Sequence, residues 1–594
     1  MVKPDIAAYE FGHFRLNLAE HHLLRDGQTV PLTAKLFDIL LLLVRGSGKV
    51  VTKETLMKEV WPGTFVEENN LTVSISALRK ILGERHREHE YIETVPKRGY
   101  RFVARVKEIQ DEESTGQTGV RLNRADSKTA DELDRAVRAL AVLPLVNVGE
   151  DLDLEYLSDG ITESIINNLS RLPQLRVMAR NTVFRYKGHE LDARQIGRQL
   201  NVPAVLIGRL RQLNKYLILG VELVNVSDGS QLWGEQYNRR FSDIFRVQAE
   251  IAREISEKLR IKLTGEERER LTKRYTENSE AYKFYLKGRY FWNKRTVKSI
   301  NRGLQYFKEA IALDANFALA YAGLADCYTS LIIWNALQTT EAVTAARRAA
   351  VKALALDEAL AEAHASLAFI EMLALNWSEG EREFRRAIEL NPNNALTRSR
   401  YAVYLAGCGR LAQATTEIEQ ALKTDPLSPL MHTNAARILF YARQYERSIE
   451  QCCEALEIDP RFGSAYGVLG LVYERLAKYE ESIAALRKAL SLMEDDTEAL
   501  SILGYIYAVS GKRREARTVL DKLQRLSEQK YVPPFFRALI HIGLKEKEEA
   551  FEWLEKSYQE RSYILTHLNI LPIFDYLRAD PRFSDLLRRI GLSD

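Results

Sequence analysis

Asn69, Thr72, Val73 and Ser76 stand at helical spacing in the stretch NNLTVSISALRKILG and gather an amide, hydroxyls and β-branched methyls on one face. Such groups read base edges, since an amide can pair bidentately with adenine and valine or threonine methyls can rest on the thymine methyl in the major groove. The opposite face carries Leu71, Ile75, Leu78 and Leu82 at steps of four, three and four, an apolar stripe suited to a core. A little further on, YIETVPKRGYRFVARV sets two β-rich runs around Pro96-Lys97-Arg98-Gly99, which reads as a hairpin with a basic tip. From Leu78 to Lys107 nine Lys and Arg face four Glu, a local net of +5 in a chain whose total is +4. A patch of this kind would hold phosphates without regard to sequence and in a salt-sensitive way, leaving preference to the helix.

Other chemistry finds little support. The chain has no G-x-x-x-x-G-K-[ST] loop, no G-x-G-x-x-G after the first strand of its middle region and no H-E-x-x-H. Its four cysteines, Cys327, Cys408, Cys452 and Cys453, lack C-x-x-C spacing, and the adjacent pair would point about 100° apart on a helix, as small buried hydrophobes do. Asp159, Glu163, Asp228 and Glu235 fall near loops or helix starts, where capping or solvation is the ordinary reading. His86 and His89 sit in a polar stretch without further ligands and read as a solvated loop. No catalysis, cofactor or metal is expected. Few cysteines, no apolar leader and no apolar run long enough to span a bilayer point to a cytoplasmic protein without a membrane anchor.

The elements that must position these residues follow from 594 residues of ordinary globular composition, 46% hydrophobic and 28% charged, enough for several cores. The first part opens with the alternating runs FGHFRLNL and HHLLRDGQTVPLT around an Asp26-Gly27 turn, a small antiparallel sheet. Helices follow after Thr33 and after Thr52, the second stopped by Pro62, and then comes the Asn69 helix. Residues 108–135 are polar and poor in aromatics and read as a flexible linker. Over 136–265, runs such as ALAVLPLVNV and YLILGVELVNV alternate with helical DGITESIINNLSRL and DARQIGRQL, a small α/β domain closed by IFRVQAEIAREISEKL.

The rest is helical and repetitive. Pro392, Pro426 and Pro460 recur at a step of 34, and so do Ala402, Ala436, Gly470 and Gly504, then Ala414, Ser448, Ser482 and Ala516. Small residues in fixed registers let paired helices approach and stack as a solenoid. The step from Ala310 to Ala353 is 43, which predicts an insertion near Ile332 to Thr340. About eight units are expected over 279–565, with an amphipathic capping helix at 566–594. The register puts Arg437, Phe440, Leu471, Glu474 and Tyr505 on the concave groove, a surface for a protein or peptide partner.

Three resemblances attach to these motifs. The sheet, three helices and hairpin of residues 8–107, with L-R-K-I-L and T-V-P-K-R-G-Y-R-F, resemble the winged helix-turn-helix effector domain of OmpR/PhoB-type transcription regulators. That resemblance implies double-stranded DNA as ligand, with Asn69, Thr72, Val73 and Ser76 at the bases and Trp61, Ser74, Arg79, Lys80, Thr94, Lys97, Arg98 and Tyr100 at the backbone. It also implies paired half-sites and a possible homodimer. The chain departs from the pattern at Asn69, Ser76 and Ala77, where members often carry arginine. No receiver-like segment precedes the domain, so control by aspartyl phosphorylation in cis is not expected. The middle segment resembles TolB-N-terminal-like or FlgO-like domains, and GSAYGVLGLVYERLAKYEESIAALRKALSLMED resembles a tetratricopeptide repeat. A winged helix followed by such repeats is similar to the HilA type of activator, and more distantly to CadC/ToxR-like regulators. The expected fold is thus multidomain, α+β then all-α. The expected function is sequence-specific DNA-binding regulation, the alternative being a repeat scaffold for which DNA contact is secondary.

Overall fold

A computed structural model describes residues 6–17, 22–25, 28–30, 34–60, 71, 74–75, 78–79, 81–83, 91–95, 98–110, 138–148, 154–189, 192–213, 216–240, 243–259, 261, 263–273, 275–493 and 496–592. The chain forms two units, Met1–Asp126 and Ser127–Asp594.

In the first unit, alternation of apolar and polar residues produces an antiparallel meander of β1 (Ile6–Phe11), β2 (Phe14–Asn17), β3 (His22–Arg25) and β4 (Gln28–Val30). Beside β1 lies β8 (Lys107–Gln110), in register from Ile6↔Gln110 to Glu10↔Lys107. The linker expected to begin at Glu108 therefore loses its first residues to the sheet. Their polar side chains gave no sign of this, because it is the backbone that pairs with β1.

Helix α1 (Ala34–Arg45) buries Phe37, Ile39, Leu40, Leu43 and Val44. Helix α2 (Lys53–Val60) starts where Thr52 Oγ1 accepts from the Thr55 amide at 3.1 Å, the cap expected of that threonine. Leu71, Ile75, Leu78 and Leu82 are all at most 3% exposed, so the predicted stripe is the core face. Phe11, Phe14, Tyr91 and Phe102 fill the rest, with the Phe11 and Phe102 rings edge to face at 5.0 Å.

The second unit begins with an α/β layer. Its sheet runs β11 (Arg176–Val177), β9 (Ala139–Val142), β12 (Ala204–Leu213), β13 (Tyr216–Asn225), β14 (Gln231–Arg240), with the short β10 (Val146–Asn147) also parallel to β12. The β9 pairings are parallel and the β12-β13-β14 pairings antiparallel, as expected from helices first and a hairpin after. Helices Glu155–Ser170, Ala193–Gln199 and Ile244–Lys258 lie where the sequence indicates. Two shorter helices, Arg180–Val183 and Gly265–Thr272, were not anticipated.

Eight helix pairs follow, from Ser279–Asn293 with Val297–Leu313 to Phe535–Gly543 with Lys547–Gln559. The small registers have a direct use: Ser448 and Ser482 hydroxyls donate to the Ala436 and Gly470 carbonyls of the paired helix at 2.7 and 2.6 Å. A Cβ on Gly470 would lie 2.6 Å from Leu486. Each turn within a pair carries one left-handed residue, Arg295, Asn335, Leu375, Gly409, Arg443, Ala477, Gly511 and Lys545 in order. The following amide then reaches back to an orphan helix carbonyl, as Gln444 does to Leu439 at 2.9 Å. The irregular step is absorbed by longer helices, Ala318–Ile333 and Thr339–Leu356, and a longer turn between them.

The α/β layer docks on these repeats through the turn residues that end them. Asp425, 1% exposed in the repeat's closing Asp-Pro turn, accepts from the Thr182 amide at 3.0 Å, the Thr182 hydroxyl at 2.8 Å and the Asn181 amide at 3.0 Å. Asn393, one repeat earlier, places its amide nitrogen within 3.1 Å of the Ser170, Leu172 and Leu175 carbonyls at the C-terminal end of a helix. Asp425→Ala would leave the buried Thr182 amide without an acceptor, so we expect a loss of about 2–3 kcal/mol. Denaturant unfolding of the full chain measures it; an unchanged midpoint would remove this residue from the docking.

Candidate nucleic-acid interface

The second sheet of the first unit is the wing. Its strands, β6 (Ile92–Val95) and β7 (Gly99–Phe102), pair from Ile92↔Phe102 to Val95↔Gly99, with β5 (Val50–Thr52) on the other side of β7. Gly99 is required there, since a Cβ would fall 2.1 Å from the Val51 carbonyl oxygen. On either side of the tip, Thr94 and Arg98 are exposed.

Arg79 has a different place from the one expected. Its guanidinium donates to the Ile92 carbonyl at 2.8 and 3.1 Å and to the Thr94 hydroxyl at 2.7 Å, binding the Leu71–Leu82 segment to the wing. Tyr100 is 4% exposed, its ring part of the core beneath the wing. Arg79 therefore braces its own segment against the wing and Tyr100 packs beneath it, long-range roles that local spacing could not disclose. Ser74 is half-buried and already partnered. The base-reading set Asn69, Thr72, Val73 and Ser76 lies outside the described residues, as do Trp61, Lys80, Lys97, the Asp26-Gly27 turn, Thr33, His86 and His89.

The repeat register chose residues on the array's inner side but not an open groove. Phe440 is fully buried and meets Tyr445 of its own paired helix, with ring centroids 6.1 Å apart. Leu471, Glu474 and Tyr505 are each at most 5% exposed, Glu474 being paired with Arg475, and Arg437 binds Glu498 at 2.9 Å. The occupant is the chain's own end. Two 3-10 turns, Tyr563–His567 and Pro572–Tyr576, run back along the repeats and bury Leu565, Leu568 and Phe574 almost completely. Arg443 meets Asp575 at 2.8 Å, the His567 ring lies 5.6 Å from Tyr441, and a Cβ on Gly407 would strike the Thr566 carbonyl. Burial, then the Arg437 charge, pulls the His567 imidazole down to about 3, so it sits there neutral. The expected capping helix exists as Pro581–Ile590 and packs on the last repeat through Arg589 and Glu555, but its end also accepts from Trp377 of the third pair at 2.8 Å.

Asp159 and Glu163 also depart from expectation: they are 5% and 6% exposed and bound to Lys187, Arg180 and Arg289, not capping or solvated. Asp228 does cap a turn, accepting from the Ser230 amide at 2.9 Å, and Glu235 is exposed. Cys452 is buried and Cys453 exposed, both as free thiols. Among the described residues no His, Cys, Asp and Glu cluster could hold a metal, and no helix is long and apolar enough to cross a membrane.

A wing, a buried helical stripe and a brace between them are the parts of a winged helix, and the family model "Transcriptional regulatory protein, C terminal" matches residues 27–102. The chain carries an OmpR/PhoB-type effector domain. Behind it, residues 136–254 match the HilA/YgeH-like transcriptional regulator second domain, and residues 463–496 match a tetratricopeptide repeat. The middle domain is thus HilA-like. Transcriptional regulator HilA of Salmonella typhi is 26% identical over 421 residues, 70% of each chain. Putative adenylate cyclase 3 of Rhizobium meliloti is 34% identical over 241 residues, 40% of each chain, so this chain spans well under half of that relative. The solved DNA-binding domain of Escherichia coli CadC is 30% identical, with 18% of this chain and 99% of that one covered and a TM-score of 0.17.

The brace is testable by itself. Arg79→Ala should lower the stability of the winged helix by about 1–3 kcal/mol, because the Ile92 carbonyl loses a charged donor, whereas Arg98→Ala should leave it within about 0.5 kcal/mol. Thermal melts of the two variants decide it; equal stabilities would mean that Arg79 braces nothing.

Proposed function

We propose that this chain is a DNA-binding transcription regulator that acts without catalysis, the winged helix reading a promoter site and the second unit controlling it. The observation that carries the reading is the wing, with exposed Arg98 at its tip and Arg79 fixing it to the segment that bears the reading residues. In this reading Asn69, Thr72, Val73 and Ser76 meet bases, while Trp61, Ser74, Lys80, Thr94, Lys97 and Arg98 meet the backbone. Two copies would occupy half-sites about one helical turn apart, roughly 34–36 Å. The cytoplasm is the compartment in which such a protein reaches DNA.

A match of 241 residues to a protein named as a cyclase is longer than the whole 126-residue first unit. It must therefore include part of the second unit, which supports reading that unit as a control module joined to different outputs. The alternative of a peptide-binding scaffold is less favoured, because the inner face of the later repeats is filled by the chain's own residues. A protein partner would use the outer surfaces.

Arg98→Ala should weaken binding to every duplex and flatten the dependence of log K on log salt by about one unit of slope, whereas Asn69→Ala should change which sequence is preferred at nearly constant slope. Titrations on matched and scrambled duplexes at two salt concentrations measure both. Identical behaviour of the two variants would defeat the division between wing and helix.

A further inference from the structure

Where the α/β layer meets the first four repeats, charged side chains are packed together away from bulk water. Glu163, on the Glu155–Ser170 helix, binds Arg289 at 2.9 Å and Arg180 at 3.2 Å. Burial pushes its carboxyl up, but the Arg289 and Arg180 charges outweigh this and its pKa lies below the ordinary value. Asp159 takes Lys187, with Arg180 at 3.8 Å, and Lys187 also binds Glu155. Asp326, on the inner helix of the second pair, holds Arg400 of the fourth pair at 3.1 Å and lies 3.6 Å from Arg289. Glu163, Asp159 and Asp326 each already serve two cations.

Arg295 is left over. It stacks on Trp292 at 4.0 Å, with Arg289 also over that ring at 4.5 Å, and among the described residues no carboxylate pairs with it. Burial first, and then the like charge of Arg400, pulls its guanidinium down to about 10. Its left-handed backbone is no oddity, because every helix pair has such a turn residue. Its side chain is. Arg443, in the same turn position four repeats later, has found Asp575 of the chain's own end. Arg295 has the same position and no such acid.

A guanidinium in this setting suits an oxyanion, since a cation partly withdrawn from water and not paired with an acid is costly and compact oxyanions match its fork geometry. Arg295 as a residue is half-buried rather than sealed. The occupant has to be small. The α/β layer reaches over this end of the inner face through Glu163, and the Tyr563–Tyr576 segment occupies the other end, so an extended peptide has no path. We propose that Arg295, with Arg400 and Arg289 beside it, forms a binding site for a small oxyanion, a phosphate- or carboxylate-bearing molecule, at the junction of the α/β layer and the repeats. The bound anion would supply the acid that Asp575 supplies to Arg443. Because Arg289 is itself held by Glu163 of the α/β layer, filling the site would tighten the docking of the two layers. The inference is independent of DNA reading, and its failure would leave that reading intact.

The test uses the full-length protein with inorganic phosphate and, separately, citrate as probes, at constant ionic strength made up with chloride. A molecule that binds only the folded state raises the melting temperature in proportion to the logarithm of its concentration once above Kd. We expect such a rise with at least one probe, and a tenfold or greater weakening in Arg295→Met. Phosphate alone would mark a phosphate-bearing ligand, citrate alone a polycarboxylate, and both a general oxyanion site. Should Arg295→Met fail to fold, Arg295→Gln and phosphorus NMR line broadening of phosphate by the wild-type protein take its place, broadening being expected with wild type and absent with the variant. Neither probe acting beyond the chloride control, or equal action on wild type and variant, would overturn the proposal.

Discussion

A carboxylate removed from water must be met by donors, and in this chain the donors for Asp425 come from another layer. The Thr182 backbone and hydroxyl and the Asn181 amide surround a side chain that ends one of the repeats. Glu163 is the reciprocal case, an acid of the α/β layer satisfied by Arg289 and Asn293 of the first helix pair. Leaving either acid buried and unmet would cost several kcal/mol, which is comparable with the net stability of a whole domain. The α/β layer and the repeats therefore hold together as one body.

The same constraint shapes what the repeats can do. A solenoid of helix pairs would ordinarily offer its inner face to a ligand, but here apolar residues of the chain's own end, Leu565, Leu568 and Phe574 among them, are as buried as any core. Burying a side chain of this size contributes about 1.5–3 kcal/mol, so a segment with several of them is part of the fold and not a plug awaiting displacement. Nearer the α/β layer, Arg295 is half-buried and has no carboxylate partner among the described residues. Built in this way, the second unit suits the small oxyanion proposed above or a partner on its outer surface.

Much of this architecture was legible because it is local. The Leu71, Ile75, Leu78 and Leu82 stripe follows from helical period alone, and the recurrence of Ala436, Gly470 and Gly504 with Ser448 and Ser482 announced paired helices down to the contacts that their size permits. What was hidden is separated along the chain. Glu163 finds Arg289 across 126 residues and Asp425 finds Thr182 across 243, so neither could be told from an ordinary helix or turn acid. The groove residues failed in the same way: Arg437, Leu471, Glu474 and Tyr505 were placed by register, and no register foretells a segment returning from beyond the last repeat. Phe440 failed for a local reason, its ring facing the paired helix. In the winged helix, the wing and its basic tip were legible, but the bracing of Arg79 onto Ile92 and Thr94 depends on how helix and hairpin meet.

The function proposed for this chain depends on the first unit reading a particular DNA sequence. Selection of bound sequences from a random duplex pool, carried out with the full-length protein and with residues 1–110, tests it most directly. One reproducible motif shared by both proteins is expected; no enrichment by either, with binding that depends on salt alone, would rule out sequence-specific reading.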